Sequence, residues 1–137
     1  MFFLGRILVT WTSKKKSCTS QSTTEVEYVA VAINCTNIVW IKHILKGMNE
    51  ELTEPVILYC DNTSAINISK NPVMHAKTKH IAIKYHYVRE LVEDKQVKME
   101  YINSKEQIAN IFTKPLPKDA FEYLRGKLGV KPLSQAI

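Results

Sequence analysis

The sequence predicts a single domain of the α/β class, with helices packed against a small mixed sheet. Three patterns support this: a short hairpin opens the chain, a long capped helix follows it, and a continuous apolar run of strand length comes next. With 137 residues, 45% of them hydrophobic, the chain can bury one core but is too short for two ordinary domains. We expect this domain over residues 1–130 and a frayed tail over residues 131–137.

The first half of the chain alternates β-type and helical patterns. Residues 2–12 read FFLGRILVTWT, which predicts a hairpin that turns at Gly5-Arg6, and the polar stretch 13–21 can prolong its second strand. The capping-box pattern Ser22-Thr23-Thr24-Glu25 predicts a long helix that stops at Gly47. The apolar residues of this helix that recur at helical spacing are expected to face the core: Val26, Val29, Ala30, Ile33, Trp40, Ile41 and Ile44. Trp11 is also expected to be a core residue.

The second half returns to the sheet. Residues 56–60, VILYC, are continuously apolar and predict a strand that is covered on both faces. A short helix capped by Asp61 or Asn62 follows and must end before Pro72, and a second helix is expected over residues 78–94. Residues 97–102 alternate as a half-buried strand, and the capping-box pattern of residues 104–107 predicts another helix. A last short helix is expected over residues 119–128.

The cysteines and the apolar runs limit the class of protein. Cys18, Cys35 and Cys60 form no C-x-x-C pair, which favours reduced, buried thiols. The alternative is a zinc cluster formed by Cys60 with His75, His80 and His86. The spacing of these four residues matches no familiar zinc framework. No export signal is visible and no uncharged run reaches about 18 residues. We therefore expect an intracellular protein, cytoplasmic or nuclear, without a membrane.

The chain is basic, with a formal net charge of +6 from 19 basic and 13 acidic residues. This excess favours a polyanionic partner such as nucleic acid. Two basic runs supply the candidate nucleic-acid-binding residues: Lys14, Lys15, Lys16, Lys77, Lys79, His80, Lys84 and Arg89. Ordinary solvated surface charge is the alternative interpretation, and contacts of this kind would read little sequence.

Two carboxylates can meet where a sheet edge faces the start of a helix. Asp61 directly follows the predicted buried strand, and Glu27 lies on the flank of the apolar stripe of the long helix. Paired carboxylates can hold Mg²⁺, and two ions about 4 Å apart support phosphodiester cleavage. The alternative is structural: Asp61 caps the next helix and the glutamates complement a helix dipole. The pattern alone favours this structural interpretation.

Five ordered segments carry a resemblance to a known family. WTSKKKS, STTEVEYVA, YCDNTSAI, NPVMHAKTKHIAIKYHYVRELVE and IANIFTKPL resemble the ribonuclease H domains of copia-type retrotransposon Pol polyproteins, over roughly residues 2–130. The resemblance implies the ribonuclease H fold, in which three antiparallel strands precede a helix, a strand, further helices, a last strand and a final helix. It also implies cleavage of the RNA strand of RNA–DNA hybrids during reverse transcription, by four carboxylates that hold two Mg²⁺ ions.

The resemblance carries over only two of these carboxylates, as Glu27 and Asp61. The first aspartate belongs to a central strand that would precede Met1, and Asn110 stands at the position of the last one. Ala82 replaces a further aspartate of the family, to which we assign no role. We therefore expect weak Mg²⁺ binding and negligible nuclease activity. The alternatives are a remnant that binds nucleic acid without cutting it, and a fragment of a longer polyprotein with an upstream reverse transcriptase.

Overall fold

The structure is a computed structural model that describes residues 1–13, 23–70 and 79–131, with the backbone alone for residues 23–25 and 79–82. Its elements confirm a mixed helix-and-strand chain. The strands are β1 (Phe2–Leu4), β2 (Ile7–Thr10), β3 (Val56–Cys60) and β4 (Val97–Tyr101). The helices are α1 (Thr23–Gly47), α2 (Thr63–Lys70), α3 (Lys79–Glu93) and α4 (Lys118–Leu128), with a 3-10 helix at Ile108–Phe112.

The chain divides into two compact units, one formed by Met1–Ser17 with Ile102–Ile137 and the other by Cys18–Tyr101. The second unit, which we call the helical unit, contains a parallel pair of strands. β3 and β4 pair in register from Val56 opposite Val97 to Cys60 opposite Tyr101. Parallel strands need a long crossover connection, and α2 and α3 supply it.

One buried face of α1 organises the helical unit. α1 packs against α2 and α3, while α2 and α3 contact the strands. Tyr28 is fully buried; its ring lies 4.2 Å from that of Tyr85, and its hydroxyl donates to the Tyr85 carbonyl at 3.4 Å. The other side chains that share this core come from all five elements of the unit: Val31, Ala32, Cys35, Ile38, Cys60, Ala65, Ile66, Ile68, Val88, Leu91, Val97 and Met99.

The other unit contains the predicted hairpin. β1 and β2 pair antiparallel, with Leu4 opposite Ile7, and the turn begins at Gly5, whose φ of 60° suits a residue without a Cβ. Trp11 stacks on Phe112 with ring centroids 5.2 Å apart. The 3-10 helix packs on α4, where Leu124 is buried. The prediction of a final helix over residues 119–128 is confirmed, since α4 spans Lys118–Leu128.

The predicted core face of α1 is wrong. Ile33, Trp40 and Ile44 are 43%, 64% and 42% exposed, whereas the buried stripe passes through Tyr28 and Cys35. The remaining predicted positions are half-buried or exposed: Val26, Val29, Ala30 and Ile41. Because α1 carries apolar side chains on nearly every side, periodicity alone does not select the face that packs. The prediction that Trp11 is a core residue is also wrong, since its side chain is 54% exposed.

Two further local predictions are corrected. β3 is covered on one face only, because Ile57 and Tyr59 are exposed on the other. The capping box at residues 104–107 does not start an α-helix: the N-cap position of the 3-10 helix is Gln107, which makes no side-chain capping bond. Instead, Asn103 forms a turn before the 3-10 helix, in which its side-chain oxygen accepts the Lys105 N–H at 3.0 Å.

Among the described helices, α1 alone is long and apolar enough to cross a membrane, over Val26–Gly47. This finding leaves the expectation from the sequence standing, because the longest uncharged run of α1, between Glu27 and Lys42, stays below about 18 residues. Core helices of soluble proteins and signal sequences have the same length and composition. One face of this helix is occupied by packing against α2 and α3.

Three helices end in the same hydrogen-bonded turn, with one residue in the left-handed conformation. After α3, the Lys95 N–H donates to the Val92 carbonyl at 3.2 Å and the Gln96 N–H donates to the Leu91 carbonyl at 2.9 Å. α1 and α4 repeat this pattern, with Asn49 and Gly129 at the left-handed position. Gly47, the predicted stop, is the last helical residue rather than the turn residue.

We expect Lys95→Gly to stabilise the protein by about 0.5–1 kcal/mol. Lys95 has a φ of 54°, which strains a residue with a Cβ. Asn49→Gly is the matched control, because asparagine already tolerates its φ of 62° and the expected gain is close to zero. Urea unfolding of the three proteins measures both differences, and equal effects at the two sites would contradict the argument.

The Cys35 thiol makes stability sensitive to alkaline pH. The buried-thiol prediction is confirmed for Cys35 and Cys60, while Cys18 lies outside the described residues. Burial raises the pKa of Cys35 from 9.0 to about 11. The folded state therefore holds this proton more tightly than the unfolded state, and stability is lost as pH rises from 9 towards 11.

We expect this loss to reach at most about 2–3 kcal/mol. Cys35→Ala removes the titrating group, so its free energy of unfolding, although lower at neutral pH, falls less steeply over this range. Chemical denaturation at several pH values tests the difference in slope. Parallel pH profiles for the two proteins would show that Cys35 does not contribute.

Candidate functional site

Asp61 lies at the carboxyl end of β3, where the chain leaves the sheet for α2. Its neighbour Asn62 caps α2, because the Asn62 side-chain oxygen accepts the Ala65 N–H at 3.1 Å. Asp61 is half-buried, and its carboxylate makes no hydrogen bond or ion pair within the described residues. The N-cap of α2 is therefore Asn62 and not Asp61.

Glu27 is positioned by the first turns of α1. It is half-buried and directly precedes Tyr28, whose complete burial fixes this part of the helix against α3. Within the part of the chain that the structure describes, the Glu27 carboxylate has no hydrogen-bond or ion-pair partner. Neither predicted metal ligand is therefore occupied by a protein partner within the described residues.

The charges of Glu27 and Asp61 both act on the Cys60 thiol. Burial raises the pKa of Cys60, and the negative charges of the Glu27 and Asp61 carboxylates raise it further, whereas a hydrogen bond to the Asn62 backbone lowers it. Both carboxylates therefore lie within electrostatic reach of the last residue of β3. From the sequence, Cys60 was predicted only to be a buried thiol. Its place directly before Asp61 was the sequence feature that could have linked it to the candidate site.

By the type of their donor atoms, these two carboxylates are suited to a hard cation. Mg²⁺ prefers oxygen ligands and is commonly held by one or two carboxylates, with water and substrate phosphates filling the other positions. No group of three or more His, Cys, Asp or Glu side chains suited to a metal occurs among the described residues. Glu27 and Asp61 alone therefore do not match a two-ion centre, and the zinc alternative gains no support from the described His86 and Cys60.

Asn110 belongs to the unit that contains the hairpin and α4, and its side chain has a structural role there. It is 7% exposed, and its amide nitrogen donates to the Ser104 carbonyl at 2.8 Å and to the Ser104 hydroxyl at 3.4 Å. A carboxylate has no proton to donate at neutral pH. The amide at this position is therefore matched to its surroundings.

A second polar cluster in the same unit ties the turn before the 3-10 helix to α4. Glu106 accepts hydrogen bonds from the Tyr123 hydroxyl, at 2.9 Å, and from the Lys127 ammonium group. These bonds lower the pKa of Glu106 and raise that of Lys127. Sequence reasoning missed this cluster, because its members lie 17 and 21 residues apart.

Few of the predicted nucleic-acid-binding side chains are described. Lys14, Lys15, Lys16 and Lys77 lie outside the described residues, and Lys79 and His80 are described by their backbone only. Lys84 and Arg89 are half-buried on α3, five positions and therefore about 140° apart around the helix. Arg89 pairs with Glu93 at 3.3 Å. The structure does not join Lys84 and Arg89 into one basic face.

Comparison with curated proteins relates the chain to retroelement polyproteins. It is 38% identical over 128 residues to the retrovirus-related Pol polyprotein from transposon RE1 of Arabidopsis thaliana, covering 93% of this chain. It is 38% identical over 122 residues to the corresponding protein from transposon TNT 1-94 of Nicotiana tabacum, covering 89%. The Ty1-NL2 Gag-Pol polyprotein of Saccharomyces cerevisiae is 30% identical over 130 residues, covering 93% of this chain.

The chain spans 9% of the length of each of the two plant relatives and 7% of the yeast relative. It is therefore homologous to one segment of much larger proteins. No protein-family model matches the chain. No solved structure matches it either.

Proposed function

We propose that this chain is a ribonuclease H-like segment of a retroelement Pol polyprotein, descended from a domain that cleaved the RNA strand of RNA–DNA hybrids. That the chain is a segment of a retroelement Pol polyprotein rests on its homology to Pol polyproteins of plant copia-type transposons. The ribonuclease H-like character is supported by the pair Glu27 and Asp61, both half-buried, both without a protein partner in the described residues, and both acting on the Cys60 thiol.

The proposed site is degenerate. Residues 1–137 supply two of the four carboxylates that the resemblance implies, and Asn110 directs an amide N–H to Ser104 instead of offering a negative charge. Mg²⁺ gives up its water reluctantly, so the loss of anionic ligands weakens its binding steeply. We therefore propose that these residues alone bind Mg²⁺ weakly and do not cleave a hybrid.

The first experiment locates the metal without requiring activity. Mn²⁺, which accepts the same oxygen ligands, is titrated into isotopically labelled protein while amide NMR signals are recorded. We expect one ion to broaden the signals around Glu27 and Asp61 together, with Glu27→Gln and Asp61→Asn each abolishing both effects. Asp94→Asn, a change at an exposed carboxylate, is the matched control. Broadening around only one of the two acids would refute a shared site.

The second experiment addresses the chemistry. The chain is compared with a version extended at its N-terminus by the aspartate-bearing first strand of an active ribonuclease H, using a labelled RNA–DNA hybrid and Mg²⁺. We expect cleavage by the extended protein only, abolished by Asp61→Asn. Salt-sensitive retention of the hybrid by both proteins without any cleavage would instead favour the nucleic-acid-binding alternative.

A further inference from the structure

A cavity of about 230 Å³ opens at the amino-terminal end of the parallel strand pair. It lies between the ends of α2 and α3, and its floor includes the apolar side chains of Val92, Val97 and Met99. Asp61 lies at the opposite end of β3, and a strand of five residues spans about 15 Å. The cavity is therefore separate from the candidate metal site.

Three lysines surround this apolar floor, and none of the described residues that line the cavity is acidic. Lys98 pairs with Glu100 at 2.7 Å. Lys70 and Lys95 are exposed and have no ion pair within the described residues. The helix-ending turn holds the Lys95 backbone in the left-handed conformation. The mouth of the cavity thus carries two unneutralised positive charges above a hydrocarbon surface.

The size and lining of the cavity select its occupant. Pockets for small ligands usually enclose about 300–1,000 Å³, so this cavity holds roughly one large side chain. An apolar floor would strip water from a phosphate without replacing its hydrogen bonds, which disfavours a nucleic-acid backbone. An aromatic side chain flanked by carboxylates satisfies both the floor and the lysines.

We propose that this cavity docks an acidic peptide segment of a partner protein. One aromatic side chain of the segment enters the cavity, and carboxylates on either side of it pair with Lys70 and Lys95. This proposal does not depend on the metal site or on any nuclease activity. Interfaces commonly concentrate their affinity in one such buried aromatic anchor.

The probe is a fluorescein-labelled pentapeptide with a central tryptophan and two aspartates on each side, and its binding to the full chain is followed by fluorescence anisotropy. We expect Lys95→Gly and Lys70→Ala each to weaken binding by roughly 3- to 10-fold. Lys105→Ala removes the same charge from an exposed site in the other unit, and a change below about 2-fold is expected there.

Lys95→Gly separates lost binding from lost folding, because this substitution is expected to raise the stability of the protein. Replacing the peptide tryptophan by alanine should weaken binding by roughly 10-fold or more. Equal binding of the tryptophan and alanine peptides would overturn the proposal, as would equal losses for Lys95→Gly and Lys105→Ala. Stronger binding of a single-stranded oligonucleotide at the same lysines would also overturn it, in favour of nucleic acid.

Discussion

Asn110→Asp is expected to lower the free energy of unfolding by about 2–4 kcal/mol at neutral pH, even though it introduces the acid that the ribonuclease H resemblance implies. The present amide donates to the Ser104 carbonyl at 2.8 Å in a buried position. A carboxylate there would place two acceptors against each other at the Ser104 carbonyl, and only the more distant Ser104 hydroxyl could donate to the buried charge. The loss should shrink under acidic conditions, where a protonated aspartic acid can donate again.

The matched control for this substitution is Asn103→Asp. The Asn103 side chain is exposed and acts as an acceptor for the Lys105 N–H, a role that a carboxylate performs equally well. We expect its stability to change by less than about 0.5 kcal/mol in the same urea titrations. If Asn110→Asp proved as harmless as Asn103→Asp, the hydrogen bond from Asn110 to Ser104 would contribute little to stability.

This expectation affects how the proposed ribonuclease H descent can be tested. Asn110→Asp adds a negative charge where the family resemblance implies an aspartate, but it removes a donor on which the local fold relies. The Ser104 carbonyl that faces this donor belongs to the backbone, so no side-chain substitution removes it. The Asn110 amide is therefore part of the hydrogen bonding of its unit, and any cleavage assay of Asn110→Asp has to be compared with the stability of that variant.

Local patterns predicted the elements of the fold better than the faces they present. The glycine turn of the hairpin, the strand before Asp61 and the capped helix after it follow from residues adjacent in sequence. Which face of α1 is buried depends on the elements that pack against it. Because α1 has apolar side chains on several sides, its sequence is compatible with more than one buried face. The helix predicted from the capping box at residues 104–107 begins later, at Ile108, and is a 3-10 helix, because the Asn103 turn takes up the N–H groups of residues 105–107.

The candidate site was predictable in part. Glu27 and Asp61 were candidates from their places in the sequence pattern, and the resemblance matched both. Asp61 is not used as a helix cap because Asn62 caps α2, an alternative that the sequence left open. The bond from Asn110 to Ser104 had no sequence signal, because it joins a 3-10 helix to an irregular turn six residues earlier. Contacts of this kind follow from tertiary geometry and not from any periodic pattern.

The face of α1 that forms the core can be decided by one large truncation. Tyr28→Ala is expected to cost about 3–5 kcal/mol, because it removes a fully buried ring that packs 4.2 Å from the Tyr85 ring. Tyr28→Phe keeps that ring and loses only a 3.4 Å hydrogen bond to the Tyr85 carbonyl, so it should cost about 0.5–1.5 kcal/mol. Thermal and urea unfolding of both variants give the two values.

Trp40→Ala is the control on the same helix. Trp40 was predicted to be a core residue from its spacing, yet its side chain is 64% exposed, so truncation should cost less than about 1 kcal/mol despite removing a larger ring. The ratio of the two losses measures which face of α1 is buried in solution. A loss at Trp40 equal to that at Tyr28 would mean that the apolar stripe predicted from the sequence is packed after all, against a surface that the described residues do not supply.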